Sequence, residues 1–394
     1  MRRVVLLLNP PAPPDAASVK VYAKLYAGVS VARDGGTDSP LPSQTLAYLA
    51  AILEQSRMAV TALDAAWQGL NREQAWRQVQ AARPSRLFVQ VADAGMSFLW
   101  WLRPRFEGEI VCFGSAAGAH PPRLFAAGAD VVLVGEPEAT VLDWVAGDGS
   151  WAGVDGAITR ADFGRGAVAA PRYVADLDAL PFPNWSALGL TGGQFTAESS
   201  RGCIHACTYC PQAFGPGRSF RPRSVTGLVA EIDWLREECG MKRLIFRDPV
   251  FALERARVRA LCKQILERRW QFEWSCESRP EHFDHELLAL MGEAGCRKIT
   301  VGVATLDADL LVGLRRVGDA TEAELYCQRV EEVITAARAG GIAAEVVALA
   351  GLPGQSAASY RSTLDRLQSL APTRVSLAPY VPVLNTSLGA SRAA

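Results

Sequence analysis

The sequence predicts an α/β protein in two parts. Residues 1–145 read as a Rossmann-like, doubly wound domain, and residues 195–394 as a partial (β/α)6 barrel of the TIM type. A linker with a small hairpin, residues 146–194, joins them. Three observations predict this. Short apolar runs alternate with amphipathic stretches in both parts, which implies parallel sheets covered by helices. Residues 146–194 break that rhythm with Gly, Ala and Pro. After the break about 200 residues remain, whereas a full eight-stranded barrel takes about 250, so six strands are expected.

In the first part, Val4–Leu8, Val60–Leu63, Leu87–Val91, Ile110–Phe113 and Val131–Val134 are the strand candidates, giving a five-stranded sheet. Within 43–56, Leu46, Leu49, Ala50 and Leu53 fall at i, i+3, i+4 and i+7, the stripe of an amphipathic helix. Ligands of such sheets sit beyond the carboxyl ends of the strands, here "NPPAPP", "VADAG", "FGSAAG" and "GEPE". The linker ends in "LPFPNW", whose prolines force an extended path. In the second part the strand candidates are Phe195–Ser199, Arg243–Phe246, Phe272–Cys276, Lys298–Val303, Ala344–Leu349 and Arg374–Leu377. Helices are expected between them, among them 225–238 behind an N-cap at Ser224, and 322–338.

Composition narrows the function classes. The chain has 394 residues, 49% of them hydrophobic, with 41 Lys and Arg against 41 Asp and Glu. That balance, with no basic tail or Lys/Arg run, gives no reason to expect a nucleic-acid partner. No stretch approaches the ~20 apolar residues of a membrane span. The apolar start, Val4–Leu8, is too short for a signal peptide and meets prolines at once. The expected location is the cytoplasm, where nine cysteines speak for metal binding, redox chemistry or burial rather than disulfides.

Three of those cysteines, Cys203, Cys207 and Cys210, are crowded into "ESSRGCIHACTYCPQ" directly after the first barrel strand. The spacing is C-x3-C-x2-C. Structural zinc takes four ligands in two pairs, and the one nearby fourth candidate, His205, would have to close a very tight ring. Cys239, Cys262, Cys276, Cys296 and Cys327 are scattered and form no second pair. Burial as small apolar side chains would account for any one of the three, but poorly for all of them beside Arg201, Gly202, Thr208 and Tyr209. Iron–sulfur clusters normally take four thiolates; three would leave one iron open, which is the character of a catalytic site.

This motif resembles that of the radical S-adenosylmethionine (SAM) superfamily. "RPRSVTGLVAEIDWL", "LIFRDPVF", "VGVATLDADLLVGLRRVGDAT" and "GIAAEVVALAGLPGQS" are similar to later blocks of one subgroup. "LLLNPPAPP", "LAYLAAIL", "CFGSAAG" and "VLVGEPE" resemble the cobalamin-binding domain fused to the barrel there, and "LDALPFPNW" its linker.

The resemblance implies that Cys203, Cys207 and Cys210 hold a 4Fe–4S cluster whose open iron chelates SAM. Cleavage of SAM by one electron would then release a 5′-deoxyadenosyl radical. An electron donor such as flavodoxin or ferredoxin is implied as a partner, with a small-molecule substrate and no membrane. Tyr209 is expected against the adenine or the cluster, or else as a packing aromatic. Arg316 matches a basic residue near the SAM carboxylate, with Arg315 adjacent; a bidentate guanidinium suits that contact. Asp248, at the end of the second strand, and Glu277 and Arg279, after the third, are expected to point into the barrel mouth, where buried charge needs a partner or a function. "GLPG", Gly351–Gly354, allows close backbone approach to a ligand or forms a plain turn. Where the subgroup has an acidic residue this chain has Ala304, so Thr305 would cover only part of that contact. The Asp-x-His-x-x-Gly motif is absent, and the first part holds His120 alone. Gly114, Ser115, Gly135 and Glu136 are the residues expected to touch cobalamin, or else ordinary turn residues.

Three functions follow. The first is a cobalamin-dependent radical SAM methyltransferase acting on an unactivated carbon of a natural-product or carbohydrate-type molecule. The second is a radical SAM dehydratase, epimerase, cyclase or rearrangement enzyme whose first domain lacks cobalamin. The third is a non-catalytic iron–sulfur binding protein.

Overall fold

The structure is a computed structural model that describes residues 4–11, 30–34, 37–92, 95–147, 149–210, 217–382 and 386–390. The loops "NPPAPP" and "VADAG" therefore lie partly outside the described residues. The chain divides into a first unit, up to Thr191 together with Gly217, and a second unit holding the remaining described residues from Gly192 onward.

In the first unit the strands are β1 (Val4–Asn9), a hairpin of β2 (Ser30–Asp34) and β3 (Thr37–Leu41), β4 (Ala59–Asp64), β5 (Arg86–Gln90), β6 (Glu109–Phe113), β7 (Val131–Leu133) and β8 (Ala157–Thr159). The helices are α1 (Gln44–Gln55), α2 (Arg72–Ala82), α3 (Met96–Leu102), α4 (Ser115–Ala119), α5 (Pro121–Ala126), α6 (Pro137–Ala146) and α7 (Arg160–Gly164). The main sheet runs β4-β1-β5-β6-β7-β8. Its first five strands are parallel, and β8 joins β7 antiparallel. The five-stranded expectation is thus short by one strand. Part of the expected linker hairpin is an edge strand of the main sheet, pairing antiparallel with β7. Thr159 then starts α7 through a capping box with Asp162, which satisfies amides the first helical turn leaves open. Val5–Leu8 are buried, as a strand covered on both faces requires. The stripe Leu46, Leu49, Ala50 and Leu53 is buried along α1.

The second unit contains β9 (Gly193–Ala197), a short pair β10 (Ser200–Arg201) and β11 (Arg221–Pro222), α8 (Val225–Glu237), β12 (Met241–Phe246), α9 (Arg255–Glu267), β13 (Glu273–Ser278) and α10 (His285–Glu293). It continues with β14 (Cys296–Ala304), α11 (Ala308–Gly313), α12 (Ala320–Ala339), β15 (Ala343–Ala350), α13 (Ala357–Ser369), β16 (Arg374–Pro379) and α14 (Ser387–Ala390). The sheet order is β16-β15-β14-β13-β12-β9, all parallel, and β9 does not pair with β16. This is the expected six-stranded, open barrel. One face, with Phe246, Trp274, Cys276, Val301 and Val346, is buried. The alternate residues share the other face in register, Ser275 beside Lys298, and Glu277 beside Thr300 beside Glu345. Ser224 caps α8 as expected, accepting from the Gly227 amide at 2.9 Å.

Candidate active site

The cysteine loop leaves the sheet at the carboxyl end of β9, and its base is pinned. Ser200 and Arg201 pair antiparallel with Pro222 and Arg221. Asp248, two residues beyond β12, is 2% exposed. Its carboxylate accepts from the Ser199 amide at 2.9 Å, from the Ser199 hydroxyl at 2.6 Å and from the Ser200 hydroxyl. Arg257 donates to the Ser199 carbonyl at 2.9 Å. Asp248 therefore faces the strand end rather than an open mouth. Gly202 then turns the chain at φ 83°, a conformation that side chains with a Cβ disfavour.

Beyond that turn Cys203 and Cys207 are buried and Cys210 is half-buried. The Cys210 amide bonds the Cys207 carbonyl at 3.2 Å, and the Thr208 amide bonds the Leu314 carbonyl at 3.0 Å, tying the loop to the end of α11. Burial raises the Cys203 pKa. Arg279, the first residue after β13, is 5% exposed and donates to Cys207 Sγ at 3.4 Å. The same guanidinium donates to Glu281 Oε1 at 2.9 Å and to the Arg316 carbonyl at 2.7 Å. Burial would raise the Glu281 pKa, but the Arg279 hydrogen bond and charge outweigh it and hold the group ionised.

Arg316 is also buried. It donates to the Tyr209 hydroxyl at 3.3 Å, to the Tyr326 hydroxyl at 3.0 Å and to the Gly302 carbonyl. Tyr326 donates in turn to the Val303 carbonyl at 2.9 Å. Burial pushes the Tyr326 phenol up to about 12 and the Tyr209 phenol well above its ordinary value. Burial opposes the Arg316 cation, but the nearby Tyr209, Tyr326, Cys207 and Glu281 outweigh it and keep it protonated. His205 and His282 meet Nε2 to Nε2 at 2.9 Å. Burial, reinforced by Arg279, lowers the His205 pKa to about 4 and also lowers that of His282, so this is a hydrogen bond between neutral imidazoles near pH 7. A cavity of about 760 Å³ opens beside these groups, lined in part by His205, Arg279, Glu281, Arg315 and Arg316.

Other expected residues fall differently. Thr305 is fully buried; its hydroxyl meets that of Thr363 at 3.2 Å and accepts from the Asp307 amide at 3.1 Å, which leaves it no open surface. Ala304 sits at φ 66°, a left-handed conformation uncommon for residues other than glycine, next to a register shift between β14 and β15. "GLPG" is a turn in which Gln355 Oε1 accepts from the Gly351 amide at 2.8 Å. Glu277 lies on the polar face of the sheet. Burial lowers the pKa of neighbouring Arg247, and Glu277 and Glu198 oppose that shift. Arg247, Glu345 and His282 gave no signal in the sequence, because the groups they meet, Glu277, Ser376 and His205, are far away in the chain.

In the first unit, Gly114 turns at φ 103°, and a Cβ there would lie 2.9 Å from the Val91 carbonyl oxygen; Ser115 opens α4 beside it. Gly135, at φ 97°, is pressed against Arg172, where a Cβ would come within 2.2 Å of a carbonyl oxygen. Glu136 is buried, its carboxylate accepting from the Val174 amide at 2.8 Å. A polar network missed in the sequence ties three adjacent strand ends together. Asn9 donates to Asp64 at 2.7 Å, the Ser43 amide donates to Asp64 at 2.7 Å, and the Ser43 hydroxyl donates to Gln90 at 2.6 Å. Burial pushes the Asp64 carboxyl up to about 6.

Among the described residues no three His, Cys, Asp or Glu side chains converge on a single-ion site. What the loop offers is a set of three soft sulfur donors, with a buried guanidinium already donating to one sulfur. That donor set fits an iron–sulfur cluster. Among the described residues no helix is long and apolar enough to cross a membrane.

The family model described as "Radical SAM superfamily" matches residues 198–367. A tryptophan 2-C-methyltransferase from Streptomyces laurentii is 26% identical over 46% of this chain and 31% of its own length. The chain spans about a third of the length of the first curated relatives it matches. Among solved structures, the radical S-adenosylmethionine methyltransferase TsrM from Kitasatospora setae, with cobalamin and a [4Fe-4S] cluster bound, aligns at TM-score 0.75 and 19% identity, over 99% of this chain and 74% of that one. The cobalamin-dependent S-adenosylmethionine radical enzyme OxsB aligns at TM-score 0.68 and 16% identity, over 100% and 55%. At these identities the likeness establishes a common fold.

Proposed function

We propose that this chain, whose residues 198–367 match the radical SAM superfamily model, is a cobalamin-dependent radical SAM methyltransferase acting on a small polar molecule. The cysteine loop carries the radical SAM part of this reading: three thiols at the carboxyl end of the first strand of an open parallel sheet, with Arg279 bonded to Cys207. Support for methyl transfer comes from the methyltransferase names of the relatives and of TsrM, and support for cobalamin from the fold shared with TsrM and OxsB over nearly the whole chain. A 4Fe–4S cluster and SAM, when bound, supply one-electron cleavage of a carbon–sulfur bond, and cobalamin supplies a methyl carrier.

This chain's residues do the rest. Cys203, Cys207 and Cys210 hold the cluster. Asp248 positions the strand end from which the loop departs. Arg316 spends most of its N–H groups on Tyr209, Tyr326 and Gly302, so it positions the loop and leaves little for a SAM carboxylate. Glu277, Lys298 and Glu345 put both signs of charge on the other face of the sheet, Glu345 already accepting from the Ser376 hydroxyl at 2.6 Å, a mixture that suits a substrate with both acidic and basic or hydroxyl groups. Gly114 and Ser115 are the cobalamin contacts this reading retains in the first unit.

A second reading, radical SAM chemistry without cobalamin, is favoured by one observation: Gly135 and Glu136 are covered by Arg172 and Val174. Cobalamin content decides. Protein produced with cobalamin supplied, purified and reconstituted without oxygen, is expected to hold about one cobalamin per chain and to methylate its substrate. SAM cleavage with no cobalamin bound would sink the methyltransferase and leave the second reading.

A further inference from the structure

Radical SAM chemistry needs an electron to reach the cluster, and the energy of that step depends on the charges around its sulfurs. A 4Fe–4S cluster on three thiolates is anionic, and reduction adds another negative charge. In a buried site that charge is costly unless a cation or hydrogen-bond donor lies next to it. Arg279 meets the requirement directly. It is 5% exposed, and its Nη1 donates to Cys207 Sγ at 3.4 Å. An N–H bonded to a ligand sulfur withdraws electron density and makes the cluster easier to reduce.

Glu281 sits on the other side of the same guanidinium, with Oε1 at 2.9 Å from Arg279 Nε and its second oxygen buried without a hydrogen bond. It offsets part of the arginine's charge without touching the sulfur. We propose that Arg279 and Glu281 act as an opposed pair that sets the reduction potential of the cluster, Arg279 raising it and Glu281 lowering it. The inference rests on the radical SAM reading. The electron comes from an external one-electron reductant, which is oxidised by one electron as the cluster is reduced by one, and no bond is made or broken in the step.

The competing account is that Arg279 merely braces the chain at Arg316, whose carbonyl it also binds at 2.7 Å. A brace predicts changes in stability but no ordered change in potential. The test is a redox titration of the reconstituted full chain, followed by the paramagnetic signal of the reduced cluster, with iron and sulfide measured beside it. Arg279→Gln is expected to move the midpoint to more negative potential. Arg279→Lys should fall between that variant and the parent, since it keeps the charge and loses the planar geometry. Glu281→Gln should move the midpoint in the opposite direction. If Arg279→Gln no longer holds a cluster, the lysine variant and Glu281→Gln decide. Unchanged midpoints, or shifts of the same sign from both positions, overturn the pair. Parent protein that takes up no iron after reconstitution overturns the radical SAM reading itself. A cluster present with unmoved potentials sinks only the tuning.

Discussion

Arg316 Nη1 donates to the Tyr209 hydroxyl at 3.3 Å across 107 positions of sequence, and so joins the cysteine loop to the segment after β14. The arginine's other N–H groups hold Tyr326 and the Gly302 carbonyl, so its removal orphans several buried acceptors at once. Arg316→Ala is expected to lower stability by about 3 kcal/mol or more, on the scale of a broken buried charged network. Tyr209→Phe should cost only about 1 kcal/mol. Denaturant unfolding of the two variants checks the order. A large loss of SAM affinity in a fully stable Arg316→Ala would contradict the positioning role.

Asp248 gives a prediction of the same kind for the strand end. Asp248→Ala leaves the Ser199 amide and two hydroxyls without their acceptor, a loss of about 2–4 kcal/mol for buried polar groups. Cluster occupancy should fall with it, because the loop departs from Ser200. Asp248→Asn, which keeps one acceptor oxygen, should recover part of both, as read by thermal unfolding and iron content.

The cysteines themselves should behave as a set. Cys203→Ala, Cys207→Ala and Cys210→Ala are each expected to lose most bound iron and the visible absorption of the reconstituted protein. Cys262→Ala and Cys327→Ala, remote in sequence from the loop, should keep both. Full iron content in any one of the first three would remove that residue from the ligand set.

Much of this was legible beforehand, and the boundary follows physical lines. The six strands of the second unit's sheet were readable because each carries apolar residues on one face and is separated from the next by a helical stretch. β8 was placed in a linker hairpin instead of the main sheet, because nothing in its residues marks the antiparallel pairing with β7. Polar contacts were the least legible. His205 and His282 lie 77 positions apart and meet only because the loop after β9 faces the turn after β13. Glu136, at a strand end, resembled a ligand contact, yet its carboxylate is taken by an amide 38 residues later. Thr305 likewise went to Thr363 on the covering helix. Sequence spacing reports the elements a residue sits on, but not which of its neighbours in space will use up its hydrogen bonds.

Asp64 makes a pH prediction. Burial raises its folded pKa from 3.8 to about 6. A raised folded pKa means that the folded protein holds the proton more tightly than the unfolded chain. The resulting stability is present below the unfolded value and is lost as pH rises through about 6. The displacement corresponds to about 3 kcal/mol. Urea unfolding of the parent should therefore weaken between pH 4 and pH 7, and the pH dependence should flatten in Asp64→Ala. Equal slopes in the two proteins would remove Asp64 as the cause.

The arc from β9 to β16 carries one more consequence. A closed barrel must satisfy a fixed relation among strand number, stagger and radius, so its lumen cannot widen without breaking a ring of hydrogen bonds. An arc of six strands whose two outer strands do not pair with each other is under no such condition. Its curvature is set locally, by the bulk of side chains such as Ser275, Lys298 and Thr300 and by the register shifts already present at β13 and β14. A single substitution on that face can therefore open or tighten the curve, and evolution can change the molecules admitted while the ladder of backbone bonds, and the cysteine loop hung from its first strand, stay as they are.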